Sequence, residues 1–387
     1  MSPKLHINFF STHIHSFHFF GVIGFVMGTA FGCMLAWLLH LQVGIVLLMS
    51  AIGAATFFLL AFVAKWIAGK EVIVYYHHEI SIVLLCAVTL YFLKKPVLPY
   101  LDITLLGIGV FLAFGRIGCY SVGCCHGRPH KHGVKYGQAH VNAGFLWYYK
   151  DVSLLPVQLI ESGYVFFTVI VGGILLLNHV APGTVLVCYT VIYGMMRYIL
   201  EFFRGDPERP LWYAVSEAQW TTLLLVTVSL LLSISGFLPF YSWHWIILLS
   251  LIIASCYMMF VKSRTINYRL LGPKHIRQIA FALQYFTNAE KFSHQTKKSS
   301  VSIYTTQQGL SISSGIYKDE ESQVRLYTIS GKTKFKLNTR IANGIAKTIR
   351  LIKHLGEFEL IEKENGIYHI VFKEEQKQKK ILVKNMV

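Results

Sequence analysis

The chain is 387 residues long, 54% apolar and only 14% charged, whereas a soluble domain carries about 25% charged residues. That imbalance excludes a water-soluble globule over much of the length and makes the bilayer its solvent. The formal net charge is +17, from 36 Lys and Arg against 19 Asp and Glu. The basic residues are not interleaved with aromatics in a nucleic-acid motif, so no nucleic-acid partner is expected and the charge is assigned to loops and a tail that meet membrane lipid.

In chain order, residues 1–18 hold a single lysine and several histidines, and the apolar run that follows is expected to remain as a span. Apolar stretches predict helices over 17–40, 43–64, 79–94, 101–120, 155–178, 183–204, 217–235 and 243–262, each near the roughly 20 residues that cross a bilayer. The interval 121–154 carries His126, His130, His132 and His140 and is too polar to span, so it is read as a small head on one membrane face. After residue 262 the composition turns polar and basic. Residues 323–329 and 366–372 alternate as strands do, and 341–354 is amphipathic with Ile341, Ile345, Ile349 and Ile352 on one stripe. The expected fold class is an all-α polytopic membrane protein with 7–8 transmembrane helices and a small soluble α+β C-terminal domain. Its expected domains are 1–262 in the membrane, carrying the chemistry, and 263–387, a basic linker and an α+β domain without a catalytic motif.

The sixth predicted helix carries charge where a span should not. Tyr193, Arg197 and Glu201 are four apart and share a face, which Arg204 extends. An arginine at the bilayer centre costs about 2.5–3.5 kcal/mol on insertion scales, so such groups persist when buried in protein and paired. Arg116 at the end of the fourth helix adds a cation, and Gln158 and Glu161 follow Pro156 at the start of the fifth. A pair of arginines suits a lipid phosphate, because each guanidinium donates two parallel hydrogen bonds. The plain alternative is a structural Arg197–Glu201 ion pair with Arg204 snorkelling to the interface.

Of the seven cysteines, only Cys119, Cys124 and Cys125 cluster. Zinc is one reading, but adjacent Cys124 and Cys125 are not expected to turn to one tetrahedral ion, and no second C-x-x-C follows. No metal or other cofactor is therefore expected, leaving a thiolate activated beside arginine or a glycine loop packed with small residues. The run Tyr75-Tyr76-His77-His78-Glu79 stands at the entrance to the third helix, where His78 is either a general base or an interfacial hydrogen-bonding residue.

Taken together and in order, these residues resemble the bacterial prolipoprotein diacylglyceryl transferase family. The set comprises Asp102 opening the fourth helix, Gly115-Arg116-x-Gly118, Gly127 ending the loop, Pro156-x-Gln158-Leu-x-Glu161, and Tyr193-Gly-x3-Arg197-x3-Glu201-Phe-Phe-Arg204, over roughly residues 17–235. The resemblance implies transfer of a diacylglyceryl group from phosphatidylglycerol to the lipobox cysteine of a lipoprotein precursor in the bacterial inner membrane, without a metal. It implies that Arg116 and Arg197 hold the headgroup and that Glu201 and Tyr193 organise the site. His78 falls at the family's histidine before the third helix, and either His78 or Glu201 is expected to act as the base. Gly127, Gln158, Glu161, Arg204 and Cys119 are expected to line the substrate. The sequence departs from the family loop Gly-Arg-x-Gly-Asn-Phe-x-Asn-Gly-Glu at Cys119, Val122 and Cys124, and His77-His78-Glu79 replaces a His-Gly-Gly run. These departures motivate two further readings: another acceptor for the same donor, or a lipid-binding or metal-sensing protein without turnover.

Overall fold

Hydrocarbon offers no partner to an exposed backbone amide, so spanning segments fold as helices with all their hydrogen bonds internal. Among the described residues six helices are long and apolar enough to cross a membrane: α1 (Ser16–Leu38), α2 (Val43–Ala68), α4 (Val97–Val122), α6 (Val157–Leu177), α8 (Glu217–Ile234) and α9 (Trp243–Phe260). Two more helices, α3 (Tyr75–Phe92) and α7 (Thr184–Leu200), bring the total to eight. Helix α3 carries His77, His78 and Glu79, and α7, shorter at 17 residues, carries Arg197. Large side chains such as Phe58, Phe62 and Trp66 on α2 stand exposed, as lipid-facing residues do. The chain is a multi-pass membrane protein.

The computed structural model describes residues 3–9, 12–69, 74–296, 302–318, 323–331, 336–363 and 366–374. It divides into two units, 1–145 with 153–259 and 146–152 with 260–387.

In the first unit, α1 and α4 form the closest pair. Gly24, Gly28 and Gly32 repeat every fourth residue on one face of α1, and a Cβ on Gly28 would lie 2.6 Å from the Gly107 carbonyl oxygen of α4. Small residues at this spacing let membrane helices approach backbone to backbone. The core behind them gathers Leu35, Met49, Cys86, Tyr100, Leu106 and Tyr189 from five helices.

Asp102 does not open its helix: α4 begins five residues earlier, at Val97. Its buried carboxylate instead accepts hydrogen bonds from the Gly183 and Leu186 amides, each 2.7 Å away. The first amides of a helix have no intrahelical acceptor, and Asp102 supplies one for α7 from a neighbouring helix. Likewise α3 starts at Tyr75, so His78 lies inside its first turn.

Between α4 and α6 the chain forms the head: strand β3 (Pro129–Val134), bridged at both ends by Leu154, and a short helix α5 (Gln138–Asn142). The Tyr136 hydroxyl donates to the Tyr120 carbonyl at 3.0 Å, and a ring nitrogen of His140, Nε2, lies 3.1 Å from the Ser121 carbonyl. The head thereby covers carbonyls that the end of α4 leaves open.

In the second unit, the stretch read as a basic linker is helical: α10 (Ile266–Leu270) and α11 (Pro273–Thr296). A five-stranded antiparallel sheet follows, in the order β6-β7-β8-β10-β9, with β6 Ile303–Thr305, β7 Leu310–Lys318, β8 Gln323–Gly331, β9 Phe358–Lys363 and β10 Ile367–Glu374. Alternate residues Tyr327 and Ile329 on β8, and Tyr368, Ile370 and Phe372 on β10, are buried. Helix α12 (Thr339–Lys353) buries the predicted stripe Ile341, Ile345, Ile349 and Ile352. Residues 375–387 of the predicted domain lie outside the described residues.

Candidate active site

Buried in the first unit is a chain of alternating charges drawn from α4, α6, α7 and the turn after it. Arg116, near the end of α4, brings Nε to 3.0 Å from Glu161 Oε2 on α6. Arg197, on α7, brings Nε to 3.6 Å from the other oxygen of Glu161. The two arginines are 8% and 5% exposed, so water does not separate them. The Tyr193 hydroxyl, one turn before Arg197, donates to Glu161 Oε1 at 3.0 Å. One carboxylate therefore spaces two guanidiniums from different helices.

The chain continues through Glu201, just beyond α7. Arg197 Nη1 lies 2.5 Å from Glu201 Oε1, Arg204 Nη1 lies 3.2 Å from the same oxygen, and Arg209 contacts Oε2. Arg204 is also clamped by both oxygens of Asp206, at 2.9 and 2.8 Å. Burial pushes the Glu201 carboxyl up, but Arg197, Arg204 and Arg209 outweigh it and hold the group well below the usual carboxylate range. A carboxylate so encircled is a poor proton acceptor. In this network four arginines face three carboxylates, Glu161, Glu201 and Asp206, leaving one net positive charge.

A family model described as prolipoprotein diacylglyceryl transferase matches residues 5–235. The chain belongs to this family. It is 32% identical over 148 residues to the phosphatidylglycerol–prolipoprotein diacylglyceryl transferase of Clostridium tetani, a match that covers 37% of this chain and 57% of that protein. It is 30% identical over 122 residues to phosphatidylglycerol–prolipoprotein diacylglyceryl transferase 2 of Clostridium perfringens, covering 30% and 43%. The chain thus spans little more than half the length of the first relative and less than half of the second. Residues 260–387 of the second unit lie beyond the stretch matched by the prolipoprotein diacylglyceryl transferase model.

Of the residues singled out in this family member's sequence, Arg116, Glu161, Tyr193, Arg197, Glu201 and Arg204 form the one network described above. Arg204 is taken up by Asp206 and Glu201. Gln158, in the first turn of α6, reaches the adjoining loop, its Nε2 donating to the Cys124 carbonyl at 2.7 Å. Gly127 brings that loop against its neighbours: it bridges to Arg204, and a Cβ there would lie 2.5 Å from the Leu155 carbonyl oxygen.

Among the described residues His78 makes no hydrogen bond or ion pair to these charges, and it belongs to a neighbouring layer. It is buried against Phe57, with Nδ1 3.0 Å from the Val74 carbonyl oxygen. That bond requires the proton on Nδ1 and leaves the Nε2 lone pair, which has no partner among the described residues. Tyr75 and Tyr76 of the same turn reach Tyr193 with ring centroids 5.6 and 6.2 Å apart. Glu79, which the sequence reading left without a role, is buried within electrostatic range of Tyr75, Tyr76 and Tyr189, and no cation pairs with it among the described residues. Arg209, Asp206 and Glu79 are the members that sequence reasoning missed. Only Glu79 carried a signal, as an acidic residue inside an otherwise apolar helix.

The cysteines differ most from expectation. Adjacent Cys124 and Cys125 do turn to one centre with Cys119, all three sulfurs lying within 4.8 Å of one another. The backbone explains it: Gly123 ends α4 at φ +85°, and Cys125 takes φ +55°, so the chain doubles back across the helix end. The Cys125 thiol is pulled well below its ordinary value, first by hydrogen bonds from Cys119 and Cys124, against burial, then by Arg204 and Arg116. Burial pushes the imidazole of the next residue, His126, down.

Proposed function

We propose that the chain is an inner-membrane enzyme that moves a diacylglyceryl group from phosphatidylglycerol to the lipobox cysteine thiol of a lipoprotein precursor, releasing glycerol phosphate. The observation that carries this reading is the convergence of Arg116 and Arg197 on Glu161 inside the bundle. Its surplus of one positive charge matches one phosphodiester. The names of the relatives supply the same donor and acceptor.

In this reading the phosphate of the donor binds the outer edges of the two guanidiniums while its acyl chains stay in lipid, which supplies proximity. The acceptor sulfur attacks the glyceryl carbon, and the carbon–oxygen bond to phosphate breaks. Negative charge grows on the departing phosphate ester, where fixed cations in a water-poor site lower the barrier most. Tyr193 and Glu161 hold the fork spacing. His78, with Nε2 as acceptor, takes the thiol proton, and Glu79 in the same turn is the nearest further candidate in sequence.

The test uses purified protein in phosphatidylglycerol vesicles with a lipobox peptide. The expected result is a diacylglyceryl mass gain on the peptide cysteine and stoichiometric glycerol phosphate. Arg116→Lys and Arg197→Lys keep the charge and lose the fork, and each is expected to slow turnover about 10²–10³-fold, as removing an oxyanion donor does. Wild-type protein that yields neither product sinks the proposal.

A further inference from the structure

Three thiols meet next to the arginine network, and nothing in the headgroup site uses them. Cys119 comes from the last turn of α4, and Cys124 and Cys125 from the loop after it. Their sulfurs lie within 4.8 Å of one another. A tetrahedral zinc ion with Zn–S distances near 2.3 Å sets sulfur–sulfur edges of about 3.8 Å.

The loop is braced in this arrangement. The Gly123 amide donates to the Cys119 carbonyl at 3.0 Å, and Gln158, itself buried, donates to the Cys124 carbonyl at 2.7 Å. Cys125 is held in the left-handed region, a conformation disfavoured for a residue with a Cβ and found where a site demands particular geometry. Cys119 is buried, Cys125 half-buried and Cys124 exposed, so the cluster opens on one side.

We propose that Cys119, Cys124 and Cys125 form a tri-thiolate site for a soft divalent cation of the zinc type, with the fourth coordination position left for an exchangeable ligand. Thiolates are the ligands such ions prefer. Three protein ligands plus one open position is the pattern of catalytic zinc, whereas structural zinc is closed by four. On binding, each thiol gives its proton to solvent as its metal–sulfur bond forms, and no oxidation occurs. The role of the fourth position rests on the transferase reading: it receives the acceptor thiol, which on coordination gives up its proton to His78 Nε2, the base of that reading. That sulfur then forms its bond to the glyceryl carbon, while the electron pair of the broken carbon–oxygen bond stays on the phosphate.

The experiment takes the full-length chain in nanodiscs, strips it with a chelator and titrates it with Co²⁺. The readouts are thiolate-to-cobalt charge-transfer absorption and direct metal analysis. One Co²⁺ per chain is expected, displaced by Zn²⁺. Cys119→Ser, Cys124→Ser and Cys125→Ser should each weaken binding at least tenfold, and the triple variant should abolish it. Cys256→Ser, on α9, should leave it unchanged. No band in the wild type, or a band that survives in the triple variant, overturns the site. A lipobox peptide should shift the cobalt spectrum where its Cys→Ser version does not, and an unshifted spectrum overturns the acceptor role. Glycerol phosphate release is followed in the same samples. Release without metal binding overturns this site and leaves the transferase reading intact, whereas metal binding without release supports the site and counts against the transferase.

Discussion

Glu161 is the residue on which two buried guanidiniums depend. Removing one partner of a buried ion pair leaves an uncompensated charge and costs about 3–5 kcal/mol. Glu161→Gln is therefore expected to lower thermal stability in detergent as well as turnover. Tyr193→Phe, which removes one hydrogen bond to the same oxygen, should cost only about 1 kcal/mol. Differential scanning fluorimetry on the two variants, paired with peptide lipidation, checks the ranking. Six of the eight members of this network were readable before folding. Tyr193, Arg197 and Glu201 announce themselves by four-residue spacing on an apolar helix, and charge inside a span is conspicuous. Arg209 and Asp206 were not readable, because they lie in an irregular segment after α7 where no periodicity marks a face. The meeting of the three sulfurs was hidden for a similar reason. It depends on a positive φ at Cys125, which a cysteine does not advertise as a glycine would.

At the scale of elements, two contacts hold the helices that carry the site. The first is the cross-helix cap on α7. Asp102→Ala removes the acceptor for two amides and should destabilise the protein by about 1–2 kcal/mol, the upper part of the range for a lost cap. Asp102→Asn, which keeps one oxygen, should cost less, and thermal unfolding of both variants measures it. The sequence marked Asp102 as important and put it on the right helix but at its start, since a capping residue normally stands beside the helix it caps, and this one acts across the bundle. The second contact is the α1–α4 glycine seam. Gly28→Val would force a side chain against the Gly107 backbone, whereas Gly21→Val on the same helix meets nothing within 4 Å. The first is expected to abolish recovery of monodisperse protein, with the second retaining it in size-exclusion chromatography. The four-residue repeat of glycine was visible in the sequence, but which helix it met was not. Helix α11 was also legible in principle: Ile279, Leu283 and Phe286 recur at helical spacing and are buried, but the surrounding basic residues made the stretch read as a linker.

For the molecule as a whole, hydropathy exposed the bundle and alternation exposed the sheet, because each reflects a single solvent boundary. The second unit also carries a pH dependence. Burial pushes the His275 imidazole below its ordinary value of 6.5, with the Leu270 carbonyl partly opposing. The unfolded chain then binds the proton more readily. The stability His275 confers is full above about pH 6.5 and declines as pH falls below it. Hydrogen exchange of the α10 and α11 amides, corrected for intrinsic rates, should accelerate between about pH 7 and pH 5.5 in full-length protein, and His275→Gln should flatten that trend. The make-up of α3 and α7 has a consequence for biogenesis. Each enters the translocon carrying polar side chains that lipid alone would reject, and each becomes tolerable once neighbouring helices enclose those side chains. The buried charge network is thereby tied to membrane integration, and a lesion at Glu161 would surface as misinserted chain as well as in turnover.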